Sequence, residues 1–600
     1  MLRNLKGFLV GAFPIVIIFG LGLLAWRYYT GTLNIESDVY SAWLEEYVAG
    51  DPYWYSRYRP EADNPSLLFR QRLPDYRLSA AKARLDRLAT LQAQLAEYAP
   101  RKEDTLDHAL LQHWTAQELA GRPWLLHHFP LDPIDGQHLQ LEDLLVSYHL
   151  ILAPGDAEAY LKRLSLLPRA CRQWEELILT QAEAGLLPPA EVLRATNRQL
   201  TRYAELPFDQ HPLYVSFARR AQQADMTQLN EYQILDYLER IAASLETKLQ
   251  PAFRGLARTC DSLAQTVAEH PYALDPEYYA YLLTRYTGDT LAVADLHQQA
   301  LDRLAYWSAE LQRYHDSPGV TAIGPLPDYL QATGPEAPVD SLQKTYLENW
   351  LLLRRDLGRY AQGVMDSIPI ARLLTRPTLP GRMRPGYLHY LPAALDGRAR
   401  AARLELDLNR LEHWTAPRQE LMVTTWQMPG QHLLWTRHLR AGQRSDFRRF
   451  LAHPTVVQGW QIYAPYLLDH DLAAWYHRPP IRLLYLHAQL RYALCLAVDT
   501  GLHGQGWTRV EAKTFLRTRG YLTEEQVEAH MLHVLARPGE IAAAVVGFEQ
   551  LKELRQRMQQ ILGDDFYVQA FHNALLYAGA LPPHLLAPEV QRLMVEKSTN

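Results

Sequence analysis

From Gly7 to Trp26 the chain runs twenty residues without a charged side chain. At about 1.5 Å per helical residue such a run spans roughly 30 Å, the thickness of a bilayer core. Arg3 and Lys6 precede it, Arg27 follows, and Trp26, Tyr28 and Tyr29 cluster where an interfacial aromatic belt would lie. A cleavable signal peptide has a shorter apolar region ending in a small-x-small site, and no such site follows here. The pattern predicts an uncleaved signal anchor over 7–27, with residues 1–6 cytoplasmic. The main body is then expected on the periplasmic or extracellular side of the inner (cytoplasmic) membrane, as a single-pass protein.

Residues 28–75 are rich in aromatics and turn formers and are expected to form a lead-in that packs on the body. From 76 to 600 the apolar spacing is mainly helical, with position 380 as the candidate boundary between two lobes. Cys171, Trp174, Leu177 and Ile178 recur at three- and four-residue spacing, and Gly185 suits the cap that ends such a helix. Pro188-Pro189 suits the opening of the next one. Thr523 and Gln526 make a capping box for a helix that should stop before Pro538-Gly539. One segment reads as a strand: Leu404, Leu406 and Leu408 alternate with Arg403, Glu405 and Asp407. Tyr387-Leu-His-Tyr-Leu is its candidate partner, with Asp396-Gly397 in the turn between. The fold class is therefore mostly α, with a small β element and one N-terminal transmembrane helix.

Composition narrows the function. Hydrophobic residues at 48% and charged ones at 21% suit a globular chain and argue against a long disordered tail. Net charge is −5, and without Arg3, Lys6 and Arg27 it is −8. A mildly acidic body argues against a nucleic-acid partner. Cys171, Cys260 and Cys495 stand apart and lack metal-ligand spacing, which excludes a disulfide scaffold. No nucleophile elbow, phosphate loop or dinucleotide fingerprint is present.

The most informative stretch is Thr425-Trp-Gln-Met-Pro-Gly-Gln-His432. With Gln458-Gly-Trp460 it resembles a family of bacterial metallopeptidase-like proteins, domain of unknown function 885. The family carries His-Glu-x-x-Pro-Gly-His-His at the first place and Glu-Gly-Trp at the second. Further pieces are similar in the same order. They include Leu73-Pro-Asp-Tyr, Phe129-Pro-Leu-Asp-Pro-Ile-Asp-Gly, Gly185-Leu-Leu-Pro-Pro, Val498-Asp-Thr-Gly-Leu-His-Gly-Gln-Gly-Trp507 and Glu553-Leu-Arg555.

The resemblance implies a large helical metallopeptidase-like fold whose site has lost its chemistry. Thr425 and Trp426 stand where the family has His-Glu, and Gln431 replaces the first of its paired histidines. Gln458 replaces the glutamate, and Ala544-Val545 replace a Tyr-Lys pair. Zinc needs imidazole, thiolate or carboxylate ligands, and hydrolysis also needs a base. Of the motif's ligands only His432 remains, with His438 and His503 too dispersed to rebuild a site. The expectation is a chain without metal or cofactor and without catalytic residues. Trp426 should fill the former site, while Tyr463, Arg491 and His503 line the remaining cleft; alternatively Arg491 pairs with Asp499. Its function would be binding, of a protein or peptide partner or within a membrane assembly. The rivals are an active hydrolase with a relocated site and a small-molecule sensor.

Overall fold

The computed structural model describes residues 40, 42–46, 51–58, 70–101, 104–222, 228–267 and 274–332, and scattered positions between 348 and 365. It continues through 372–384, 388–395, 400–407, 415–440, 445–475 and 477–598. The expected anchor and the Asp396-Gly397 turn lie outside these residues. Among the described residues no single helix is long and apolar enough to cross a membrane.

The body is mostly helical. The helix read from Cys171, Trp174, Leu177 and Ile178 is longer than that spacing suggested: it runs from Pro154 to Glu183 and passes through Pro168. Its start is fixed by Asp156, whose carboxylate accepts the N–H groups of Leu152 and Ala153 at 3.1 and 3.0 Å. Gly185 ends it in the left-handed region at φ +70°, where a glycine carries no Cβ penalty. The N–H of Leu186 returns to the Gln181 carbonyl at 2.9 Å. Ala190–Glu205 follows Pro189 as anticipated. Thr523 and Gln526 exchange their bonds at 3.3 and 3.1 Å and open Glu524–Ala536, which stops before Pro538.

Three strands form the β element. Strand β3 (Ala402–Leu406) is central, with β1 (Leu373–Pro377) parallel to it and β2 (Leu388–Leu391) antiparallel. The β2 pairing matches Leu388 to Leu406 and Leu391 to Arg403. Leu404 and Leu406 are buried as alternation requires. Glu405 is buried too, against the polar-out pattern, because Arg382 donates to its carboxylate at 3.3 Å.

Arg382 anchors a buried ionic centre. Its guanidinium meets Glu142 at 3.1 Å, Asp143 and Glu405, while Arg384 meets Asp143 at 2.8 Å and Asp135 at 2.9 Å. Burial alone would raise the Asp143 pKa, but Arg384, His389 and Arg382 outweigh it and hold the carboxyl well below its usual range. The centre ties the short helix Gln137–Asp143 to the segment that leads into the sheet. One buried apolar cluster likewise draws on both sides of position 380, with Leu139 and Tyr203 alongside Met383 and Leu391.

The helix Pro479–Gly504 carries the core through the molecule. It is buried along most of its length and shares Ile481 and Leu484 with the sheet-side cluster, Leu490 and Val498 with the largest cluster, and Leu496 with a third. A helix apolar on every side belongs inside a large core.

Helices Pro454–Tyr466 and Glu540–Leu562 cross at Gly459 and Gly547. A Cβ on Gly547 would come 2.1 Å from the Thr455 carbonyl oxygen, and one on Gly459 would come 2.6 Å from the Gly547 carbonyl carbon. Backbone cannot yield as a side chain can. Gly547→Ala should therefore force the helices apart and cost about 3 kcal/mol or more, well beyond an ordinary helix glycine change. Denaturant unfolding checks this; a variant as stable as the parent would show that the crossing is not close.

Candidate functional site

The Thr425–His432 segment joins two helices. Ala416–Trp426 ends there, Gln427 leaves helical geometry at φ −111° and ψ −91°, and Gln431–Arg440 begins after Gly430. Gly430 is required by space: a Cβ would lie 1.9 Å from the Thr425 carbonyl oxygen. Two bonds pin this turn to the helix crossing. Trp460 Nε1 donates to the Pro429 carbonyl at 2.9 Å, and Gln431 Nε2 donates to the Val457 carbonyl at 2.5 Å.

The motif residues and their neighbours are packed into this frame. Thr425 is buried and donates its hydroxyl back to the Leu421 carbonyl at 2.9 Å. Trp426 is half-buried and packs on the cluster that contains Leu421, Val423 and Trp475. His432 is fully buried, with Nδ1 3.1 Å from the Tyr390 hydroxyl of β2. Gln427 is fully buried, and neither of its amide atoms has a hydrogen-bond partner among the described residues. Ala544 and Val545 are buried, Ala544 in the cluster that holds Met428, Leu433 and Trp460. His438 is buried elsewhere and accepts the Ala580 N–H at 3.3 Å.

Gln458 points to charges. Its Nε2 lies 3.5 Å from Glu540 Oε1. Glu540 also meets Arg537 at 3.0 Å and His533 at 3.6 Å, and Arg537 reaches Asp132 at 3.6 Å. Burial opposes the Glu540 charge, but Arg537 and His533 outweigh it and hold the pKa below the usual range. His533, Arg537 and Glu540 lie within eight residues of one another, but spacing gave no sign that Asp132 and Gln458 join them from distant parts of the chain.

The expected cleft-lining residues each have their own partners. Tyr463 is fully buried, its hydroxyl 2.9 Å from His572 Nε2. His503 is buried, which lowers its pKa to about 4, and its ring packs on Tyr279. Arg491 does not meet Asp499. It contacts His530 Nε2 at 3.0 Å, and His530 Nδ1 lies 3.4 Å from Cys495 Sγ. Burial pushes the Cys495 thiol up to about 12, so it is no thiolate nucleophile at neutral pH. Asp499 instead accepts from the Tyr279 hydroxyl at 2.6 Å and from the Gly539 N–H at 3.0 Å. Three buried partners in the i, i+4 rows of one helix look alike in sequence, so only packing could assign them.

Two expectations follow. Gln458→Glu would put a second half-buried carboxylate beside Glu540, and like charges at that distance raise a carboxyl pKa. A raised folded pKa means stability lost as pH climbs above the ordinary carboxylate value. The variant's unfolding deficit should thus be largest at neutral pH and shrink toward pH ~4; a pH-independent deficit would contradict the charge placement. Asp499 gives the second. Burial raises its pKa to about 7, which outweighs its hydrogen bonds, so the folded protein holds a proton that the unfolded chain has released. Its contribution falls as pH rises from the unfolded value near 3.8 through 7. Asp499→Asn should flatten the decline in melting temperature between pH ~5 and ~8, and an unchanged slope would rule Asp499 out as its source.

Comparison with known proteins supplies the context. The family model described as "Bacterial protein of unknown function (DUF885)" matches residues 62–590. No curated protein matches the chain. Among solved structures, the putative lipoprotein from Colwellia psychrerythraea superposes with a TM-score of 0.83 at 17% identity, covering 93% of this chain and 100% of that one. A putative lipoprotein of unknown function from Shewanella oneidensis gives a TM-score of 0.64 at 14% identity, covering 93% and 99%. At such identities the likeness speaks for the fold. The family match spans most of the sequence, and the chain belongs to the bacterial DUF885 family.

Proposed function

We propose that this chain is a catalytically inactive, metallopeptidase-like member of its family that works by binding at the cell envelope. One observation carries the reading: the positions where the resemblance puts metal ligands and base are occupied by side chains committed to the fold. Thr425 bonds its own helix, Gln431 bonds Val457, and His432 faces Tyr390. A hydrolytic zinc site needs about three protein ligands and an activated water. His432 is one ligand.

The rival hydrolase with a relocated site would have to draw on Glu540, His533 and Asp132. Arg537 sits among them and already pairs with both acids, which disfavours a cation there. The binding reading extends to location. The apolar run over 7–26 and the lipoprotein descriptions of two structural relatives support an envelope protein, and we place it in the inner membrane through residues 7–27 with the body outside. Its partner is a protein or peptide segment.

Metal content tests the reading. Any zinc bound to the purified protein should be equal in the parent and in His432→Ala; about one zinc per chain, lost on that change, would restore a catalytic interpretation. Purification from membranes in mild detergent should bring down a stoichiometric protein or peptide partner, and a chain that purifies alone under cross-linking would count against a binding subunit.

A further inference from the structure

Away from the motif, Arg219, Arg220, Arg372, Arg376 and Arg403 gather at the outer strand β1 of the sheet. The register sets Leu374 and Arg376 of β1 level with Arg403 and Glu405 of β3, so these four side chains share one sheet face. Arg372 precedes Leu374 by two residues and falls on the same face. Helix Pro212–Ala221 brings Arg219 and Arg220 beside them in its last turn.

Carboxylate is scarce here. Glu405 accepts from Arg382 at 3.3 Å and lies 4.0 Å from Arg403, so its charge is shared with the buried centre. Arg403 and Arg220 turn their guanidiniums to carbonyls of the wide helical turn Leu144–Tyr148 and the residue after it. Arg403 donates to Ser147 at 3.0 Å, and Arg220 donates to Leu145 at 2.8 Å and to His149. Carbonyls accept these bonds without cancelling the charge. Among the described residues Arg219, Arg372 and Arg376 form no ion pair. Partial burial and the guanidiniums of Arg403, Arg372 and Arg219 hold the Arg376 pKa below its usual value, against the pull of Glu405. Two buried groups at the same place, Arg403 Nε and the Ser147 hydroxyl, also lack a hydrogen-bond partner, which calls for an explanation.

We propose that this arginine face binds a phosphate group, as inorganic phosphate or as a phosphomonoester. A carboxylate carries one charge and typically occupies one guanidinium in a two-pronged contact. A phosphate dianion carries more charge and presents oxygens in several directions, so guanidiniums arriving from different elements can share it. Arg219, Arg372 and Arg376 are exposed and make the contact. Arg403 and Arg220, held in place by carbonyls, add positive field behind them. The site needs none of the motif residues: β2, whose Tyr390 meets His432, lies at the other edge of the sheet.

The test titrates the full chain, in a phosphate-free maltoside detergent, with inorganic phosphate at an ionic strength held constant by chloride. Calorimetry should show saturable binding, weakened at least about tenfold in Arg219→Gln and in Arg376→Gln. Arg557→Gln, an exposed change on helix Glu540–Leu562, should bind as the parent does. Before phosphate is added, Arg219→Gln and Arg376→Gln should melt no lower than the parent, because each change relieves repulsion. Micelles carrying phosphatidic acid, compared with phosphatidylcholine, separate the sources. Saturation by inorganic phosphate assigns a free ligand; a response to phosphatidic acid alone, lost in both variants, assigns a lipid-borne one. Binding of neither, binding unchanged in Arg219→Gln or Arg376→Gln, equal weakening in Arg557→Gln, a lower melting temperature in the two variants, or tighter binding of a glutamate-rich peptide would each overturn the proposal.

Discussion

The contact between Gly459 and Gly547 sets the geometry on which the motif region depends. Without side chains at these positions two long helices approach until backbone meets backbone, and the turn at Pro429-Gly430 is then bonded to one of them. Trp460 and Gln431 hold that turn from either side of Gly459, at Pro429 and Val457. Gly430 meets the end of the preceding helix at a distance no other residue allows. These are steric and hydrogen-bonding requirements of the fold, independent of any metal. The turn is therefore held by the close packing of Gly430 and by two side chains, Trp460 and Gln431 itself.

Electrostatics secures the rest. The Arg382 centre places buried acids from one helix against a guanidinium near the sheet, and Glu405 turns a strand face that should be wet into part of that centre. Removing one member of such a group leaves uncompensated charge in low dielectric, which costs far more than the intact pairs contribute. Arg537 plays a comparable part between Asp132 and Glu540. Near the motif the Asp132 and Glu540 carboxylates therefore already have a guanidinium partner.

Local signals were legible in the sequence. The Thr523–Gln526 capping box, the Gly185 cap and the helix after Pro189 rest on spacings within a few residues and are found where they were read; the strand read over 403–408 runs over Ala402–Leu406, with Leu408 outside the described residues. The helix Pro154–Glu183 was underestimated because Pro168 reads as a breaker. Burial of the surrounding turns, with Leu164, Leu167, Cys171 and Trp174 in one cluster, outweighs the lost bond. β1 was missed since a parallel edge strand has no turn to announce it. Long-range partners were illegible for a different reason: Tyr390 with His432, Gln458 with Glu540 and Arg491 with His530 depend on which helices touch. The family itself was legible by resemblance, and the match over residues 62–590 bears it out.

The account stands on binding without turnover. Its most direct test is to incubate the purified full-length protein with a proteome-derived peptide mixture, in detergent and with added zinc, and to search for new termini by mass spectrometry. The account predicts no cleavage beyond that seen with the His432→Ala variant. Cleavage at defined sites that disappears in that variant would contradict it.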